Sequence, residues 1–591
     1  MMVRVRECIK QVYLAAKSNY VLGFFSLLCI VLWPLLLLNT NSYFSIYVIC
    51  GMAAALAFVY NRTHKQKEGK LVYGVTIAFS CLFSAFVVLA NYALFLPVRE
   101  NIVKLLVAFI AGVIVAQNVL LLLLRRLPKI EAKTEKKPVY KPVVVFLVPF
   151  VILSAIYLIY LFYCAYPGML TGDSFNQVSQ ALSTITSNHH PFWHTVIVKV
   201  LLSVGLRLFG NINSAVALYS VCQLLVFSAT ISFSLMTLYT AGVKKRYVFL
   251  CGLPFAILPY HIVYSVCMWK DIWFAMATLL FAVFFFRTVN AVGNRTFNGI
   301  SLFLSSVLFC VWRSNAWLAM LASLVLFFVF MRKKRMKTVL ILAAAVVVSW
   351  VMRSPVISML GIEQPDFVES LSIPVQQVAR VIVDDGYISD EDYKALDKIM
   401  DVNEVKDLYL DYLSDPIKNE IRSKDQNYLA ENKMEYLKLW VRIGLDNPTS
   451  YVAAWVDQTK GYYNSGYKYW VTPYREANDV LGIEKKPLYN PTNEFFLNLN
   501  KKMNENVLAQ PFISIGFCVW ILTAFGIVLF LRKREEWLIT IPLLMVVATL
   551  LVATPVFSEF RYVYFMFMTM PFLITVGIHT FNPKNGGTQN G

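Results

Sequence analysis

Charge is scarce in this chain. Asp, Glu, Lys and Arg together make up 15% of its 591 residues, against 58% hydrophobic residues. No water-soluble domain of this size needs so much apolar surface, which excludes a soluble class and points to a polytopic membrane protein. A cysteine framework is missing too. Ten cysteines occur without paired metal-ligand spacing, and none falls between residues 354 and 510. That excludes a zinc motif and a disulfide scaffold as the basis of the fold and leaves buried free thiols as the expected state. There is no internal repeat, no low-complexity tract beyond a Gly/Asn tail, and no recognisable cleavable leader. The basic start (Arg4, Arg6, Lys10, Lys17) runs into a long apolar stretch and reads as a first span retained with its cytoplasmic end first.

Acid is the scarcer sign, with 35 Asp and Glu against 54 Lys and Arg for a net charge of +19. The excess does not form a nucleic-acid surface. It sits in short loops between apolar runs: Arg62 to Lys70, Arg125 to Lys141, Lys244-Lys245-Arg246, Arg332 to Lys337 and Arg532-Lys533-Arg534. Lys and Arg distributed in this way mark the cytoplasmic face. Threading the chain from an internal N-terminus gives spans near 21–38, 43–60, 72–95, 103–124 and 143–163. The short stretch 196–209 carries Lys199 and Arg207. Letting it cross would put every later basic loop outside, so it is read as a juxtamembrane amphipathic helix. Six spans follow between 213 and 352, and three more near 513–531, 538–556 and 562–580. The expectation is an all-α polytopic membrane protein of about fourteen transmembrane helices with a small, mainly helical ectodomain. The segments are 1–142 (four spans with basic cytoplasmic loops), 143–353 (membrane core with a first outer loop, 164–195), 354–510 (extracytoplasmic helical domain), 511–580 (three spans) and 581–591 (a disordered cytoplasmic tail). Within 354–510, Ser389-Asp390-Glu391-Asp392 resembles a capped helix start, and Asp415-Pro416 and Asn447-Pro448 mark breaks.

On this threading the unusual polar residues converge on the outer face. The first outer loop holds one carboxylate, Asp173, with His189, His190 and His194. Lys270-Asp271, Arg313-Asn315 and Glu559-Arg561 top later spans, and Gln376, Gln377 and Arg380 open the ectodomain. Ionisable groups at membrane level are costly unless paired or wet, so such a cluster is a candidate site. A carboxylate at the membrane surface suits a general base, and Lys270, Arg313, Arg380 and Arg561 suit the phosphate of a lipid carrier. Trp193, Trp269 and Trp317 are placed to stack on a sugar or touch a polyprenyl tail. Each feature has a plainer reading: Asp173 as a helix cap, His190-Pro191 as a turn, Lys270 and Asp271 as a structural pair, Arg313 and Arg561 as snorkelling residues, the tryptophans as an interfacial belt, and the tyrosines at 462–469 as packing.

Gly172-Asp173-Ser174, His190-Pro191, Lys270-Asp271 and Glu559-Phe560-Arg561-Tyr562, in this order, resemble the GT-C superfamily of integral-membrane glycosyltransferases. More closely, YPG–GDS, HHP, WKD, RSNAW and IPVQQVAR look like the bacterial DUF6020-type membrane proteins. The resemblance covers about 143–580. It implies a polyprenyl-phosphate-linked sugar donor, an envelope polysaccharide, lipid or protein acceptor, and inverting transfer on the extracytoplasmic side of the bacterial cell membrane. On that carry-over Asp173 is the base, His190 shapes a pocket, and Lys270 and Arg561, with Arg313 and Arg380, hold the carrier phosphate. Asp271, Gln377 and Tyr562 complete the expected donor-binding set. Many members carry two acids in the loop. This chain has no second acid before Thr195, so a divalent metal is not supported and no cofactor is expected. The competing readings are a polysaccharide polymerase or ligase, a transporter or flippase of lipid-linked oligosaccharide, which predicts broken helices around a midplane cavity, and a non-catalytic envelope protein.

Overall fold

The apolar runs fold as helices because a helix satisfies its own backbone hydrogen bonds where no water can. The computed structural model describes residues 19–37, 46–63, 68–132, 140–473, 477–486, 488–489 and 492–581. The basic start at Arg4 to Lys17, the loop residues His64, Lys65 and Lys67, the first residues of the span expected at 43–60, and the tail beyond Phe581 lie outside the described residues. Among the described residues ten helices are long and apolar enough to cross a membrane. An eleventh is added if Lys245–Ile257 and Pro259–Ser265, bent by 69° at their junction, form one span. Strand is confined there to the pairing of Ile130–Glu131 with His579–Thr580. The architecture is that of an all-α, multi-pass membrane protein.

The chain divides into two units. One comprises residues 1–127, 463–468 and 503–533. Its helices are Asn19–Leu37, Ile46–Thr63, Lys70–Ala90, Val98–Arg126 and, far along the chain, Ile515–Leu531. Trp33 is fully buried edge-on to Tyr47, with ring centroids 5.4 Å apart. The late helix belongs here because the 463–468 segment pins it. Trp520 Nε1 donates to the Tyr463 carbonyl at 2.8 Å, and Tyr47 Oη donates to Asn464 Oδ1 at 2.6 Å. Gly516 allows this: a Cβ there would lie 2.5 Å from the Asn464 carbonyl carbon.

The second unit holds the remaining chain. Its helices share two ends. At one end, Tyr239 Oη accepts from the Tyr140 amide at 3.1 Å, Arg287 Nη1 donates to Thr237 Oγ1 at 3.2 Å, Asn290 reaches Glu536 at 3.2 Å, and Arg534 Nη1 donates to the His579 carbonyl at 2.7 Å. Lys244-Lys245-Arg246, Arg295 and Arg332–Lys337 fall at this end. At the other end, Ser220 bonds the Pro167 carbonyl at 3.0 Å, Gln223 the Cys267 carbonyl at 2.8 Å, Arg313 the Tyr562 carbonyl at 3.0 Å, and Trp193 the Met352 carbonyl at 3.1 Å.

Phe192–Phe209 is one of the ten helices long and apolar enough to span. It starts level with the second set of helix ends, where His194 Nε2 lies 2.8 Å from Tyr219 Oη. Further along it meets the first turn of Ile212–Thr240, since a Cβ on Gly205 would fall 2.5 Å from Ala215 Cα. Its distal half therefore packs beyond the level at which Lys270–Asn290 begins.

The 354–510 region is mainly helical, with a core of its own that includes Val378, Ile382, Leu396, Val405, Ile417, Ile421, Leu439 and Ile443. Ser389 accepts from the Asp392 amide at 3.2 Å, closing the expected helix cap. The domain grips the 553–559 loop. Lys418 Nζ and the Ser372 hydroxyl both donate to the Pro555 carbonyl, and Gln458 Nε2 donates to the Val556 carbonyl at 3.0 Å. Tyr462, Tyr463 and Tyr469 are buried packing residues.

Candidate functional site

The Asp173 loop is stitched to the start of a later helix. The Met169 amide donates to the Val266 carbonyl at 3.0 Å, the Met268 amide donates to the Met169 carbonyl at 3.1 Å, and Ser174 Oγ donates to the Met268 carbonyl at 3.0 Å. This lays the start of Gly172–Leu182 beside the start of Lys270–Asn290. Thr171 is the N-cap residue of the first helix, with its amide 3.3 Å from Ser174 Oγ. Capping therefore does not consume Asp173, which sits in the first turn, where the helix dipole favours an anion.

Asp173 Oδ2 accepts from Arg561 Nη1 at 2.6 Å, and Arg561 Nε donates to Glu559 Oε2 at 2.7 Å. The guanidinium lies over the Trp269 ring at 4.9 Å, and Trp269 Nε1 is fixed by Thr171 Oγ1 at 2.9 Å. Of the Asp173–Arg561 pair, the acid faces solvent: its side chain is 37% exposed and that of Arg561 15%. Burial acts to raise the Asp173 pKa, but the charges of Arg561 and Lys270 outweigh it and hold the carboxyl well below the usual range. Burial pushes Glu559 up, against the pull of Arg561.

A second ion pair lies behind the first. Arg313 Nη1 donates to Asp271 Oδ1 at 2.5 Å, with both side chains almost fully buried. Asp271 Oδ2 has no hydrogen-bond partner among the described residues. Arg313 is thus no snorkelling residue, and Lys270 and Asp271 part company. Lys270 Nζ instead lies 3.5 Å from His190 Nδ1. Burial and the neighbouring Lys270 charge lower the His190 pKa to about 3, so its ring is neutral at neutral pH. Tyr562 separates the two arginines, which lie 5.0 and 5.2 Å from its ring centre.

These groups border a cavity of about 930 Å³. Asp173, His190, Lys270, Arg313, Arg561 and Tyr562 line it, and Asp271 supports it from behind through Arg313. Gln377 and Arg380 do not line it. Gln377 accepts from Trp440 Nε1 at 3.0 Å and donates to the Tyr451 carbonyl at 3.3 Å, while Arg380 pairs with Asp384 at 2.8 Å and Asp457 at 3.2 Å. Both residues are tied into the helical domain's own packing. The cation that this domain presents to the cavity is Arg422, paired with Asp366 at 3.0 Å and Glu369 at 2.6 Å. His194 is buried against Gln177 and Tyr219. Trp193 lines the cavity, whereas Trp317 bonds the Val346 carbonyl at 3.0 Å and does not.

Arg353 was not among the residues expected here. It ends the Met336–Arg353 helix on the cavity wall. Its only sequence signal is position: a cation closing an apolar run on the same side as the others. Among the described residues neither Arg353 nor Lys270 forms an ion pair, while Arg313, Arg422 and Arg561 all do. No three His, Cys, Asp or Glu side chains converge there as a metal-ligand set. The cavity thus combines an accessible carboxylate at a helix start, Asp173, with two cations that form no ion pair among the described residues and with aromatic walls. Asp366, Glu369 and Asp415 line it from the helical domain's side, each paired with Arg422 or Lys418.

Fold and cavity together define a multi-pass α-helical membrane protein with a polar cavity at the ends of its helices. The chain belongs to a family of unknown function, DUF6020, whose model matches residues 180–588. The match includes Lys270, Arg313 and Arg561 and begins after Asp173. No curated protein and no solved structure matches the chain.

Proposed function

We propose that the protein is a membrane glycosyltransferase that moves a sugar from a polyprenyl-phosphate carrier to an envelope acceptor on the extracytoplasmic side. One observation carries the reading: an accessible carboxylate held by an arginine beside two cations that form no ion pair among the described residues, in a cavity at the helix ends opposite the basic loops. Lys270 and Arg353 would take the carrier phosphate. As Arg561 turns from Asp173 to that phosphate, the carboxylate loses its strongest counter-charge and its basicity rises. Asp173 then takes the acceptor hydroxyl proton. The acceptor oxygen bonds the anomeric carbon from the face opposite the leaving group, and the carbon–oxygen bond to phosphate breaks with its electron pair on the phosphate. Trp193 and neutral His190 supply walls for a sugar ring, and Trp269 backs the Arg561 guanidinium.

The test is transfer from a panel of radiolabelled polyprenyl-phosphate sugars by purified protein. Asp173→Asn keeps shape but removes basicity, so turnover should fall by about 100-fold or more with donor binding largely kept. Lys270→Ala and Arg561→Ala should weaken donor binding. Equal turnover by Asp173→Asn removes that residue from the mechanism, and unchanged donor affinity in both cation variants removes the phosphate clamp.

The 69° break at Leu258-Pro259 favours a second reading, a flippase for the same carrier class. The buried polar group at the break is His261, whose Nδ1 lies 2.7 Å from Tyr564 Oη. Carrier movement across liposomes without sugar transfer would select that reading.

A further inference from the structure

At the opposite end of the same unit, a second cavity of about 950 Å³ opens between the end of Lys270–Asn290 and the starts of Arg295–Trp312 and Met336–Arg353. Lys270 and Arg287 stand on one helix roughly 25 Å apart, so this cavity is separate from the Asp173 site. Its charged lining is Arg287, Arg295, Arg335 and Lys337, and no carboxylate lines it. Among the described residues, Arg335 alone of these cations forms an ion pair, with Glu535. The rest of the wall includes Ile300 and Leu340, which are 57% and 64% exposed, so the cavity continues into an outward-facing apolar surface.

Arg287 is the central group. It is 8% exposed, yet its partners are neutral: Nε donates to Asn298 Oδ1 at 2.8 Å and Nη1 to Thr237 Oγ1 at 3.2 Å. Asn298 is itself oriented by its bond to the Val292 carbonyl at 2.8 Å. Nη2 lies over Gly293, where a Cβ would stand 2.5 Å away, and the glycine's φ of +76° suits a residue without one. Its guanidinium also lies over the Phe233 ring at 5.5 Å, but a buried cation held by neutral groups is still costly without a counter-charge. Basic pockets between helix ends on the cytoplasmic side suit anionic lipid headgroups.

We infer that Arg287, Arg295 and Lys337 bind the phosphodiester headgroup of an anionic phospholipid, with its acyl chains against Ile300 and Leu340. Free phosphate shares the headgroup chemistry but leaves the apolar wall unused. The inference does not depend on the transferase reading.

The test uses the full chain in uncharged detergent, incubated with equimolar phosphatidylglycerol and phosphatidylcholine and examined by native mass spectrometry. Wild type should retain phosphatidylglycerol over phosphatidylcholine by about tenfold. The exposed pair Arg295→Ala/Lys337→Ala should bring that ratio close to one. A charge-matched control at another exposed loop, Lys244→Ala/Arg246→Ala, should leave it unchanged. No preference in wild type, an unchanged ratio in the first variant, or an equal loss in the control would overturn the site. Displacement of the lipid by millimolar inorganic phosphate would overturn the lipid assignment in favour of a free anion. The Arg295/Lys337 variant should still transfer sugar if the transferase reading holds, so the two proposals fail separately.

Discussion

At the residue scale, the ionisable groups around Asp173 are held in states set by burial and by their neighbours. His190 is buried and neutral, with a pKa lowered to about 3 in the folded protein. In the unfolded chain it returns to the ordinary histidine value near 6.5. Between those values the unfolded state binds more protons, so folded stability falls as pH drops through this window. Asp173 has a depressed pKa too, but its contribution is lost only below the ordinary carboxylate range. Melting temperature should therefore fall from pH 7 to pH 4.5 in wild type, and fall less in His190→Gln. Parallel profiles would mean that His190 is not kept neutral by the fold. The motifs Gly172-Asp173-Ser174, His190-Pro191, Lys270-Asp271 and Arg561-Tyr562 were legible in the sequence because each interrupts an apolar run with groups that are costly at a membrane. Arg353 was not, because a single arginine closing a span also reads as an ordinary boundary. Gln377 and Arg380 had the right chemistry, but which face of their helix meets the cavity is a matter of packing.

At the scale of elements, the short helix Phe192–Phe209 decides where the site lies. Its sequence supports both crossing and lying along the surface, because eighteen largely apolar residues satisfy either. The contacts are more specific. Trp193 and His194 fix one end at the helix-end layer, and Gly205 fixes the other against Ala215. Gly205→Val would push side-chain atoms into the Ala215 backbone and cost about 1–3 kcal/mol by overpacking. The melting temperature in detergent should drop by several degrees, while Gly210→Ala, beside open space, should cost only its left-handed strain. Equal melting of Gly205→Val and wild type would show that the two helices do not meet there. The helix Ile515–Leu531 teaches a related lesson. Its sequence identifies an apolar helix but not its neighbours, which depend on Gly516 and the 463–468 segment.

At the scale of the molecule, the basic loops of the larger unit gather at one set of helix ends and the Asp173 cavity at the other. Under the charge rule this predicts opposite compartments for the two ends. Cysteine reporters placed in 184–188 and in the 291–294 turn should react with membrane-impermeant reagents from opposite sides. Labelling of both from one side would break the topology and with it the transferase reading.

The order of residues by itself determined that this chain carries helices long and apolar enough to cross a membrane and that, outside 354–510, its charges fall mostly at or near their ends, because apolar length and the cost of buried charge act on each segment separately. The tertiary structure decided which charges meet. It pairs Arg561 with Asp173 across most of the chain, pairs Arg313 with Asp271, and leaves Lys270 and Arg353 without an ion pair among the described residues. Partner choice depends on distance in space, which no local run of residues encodes.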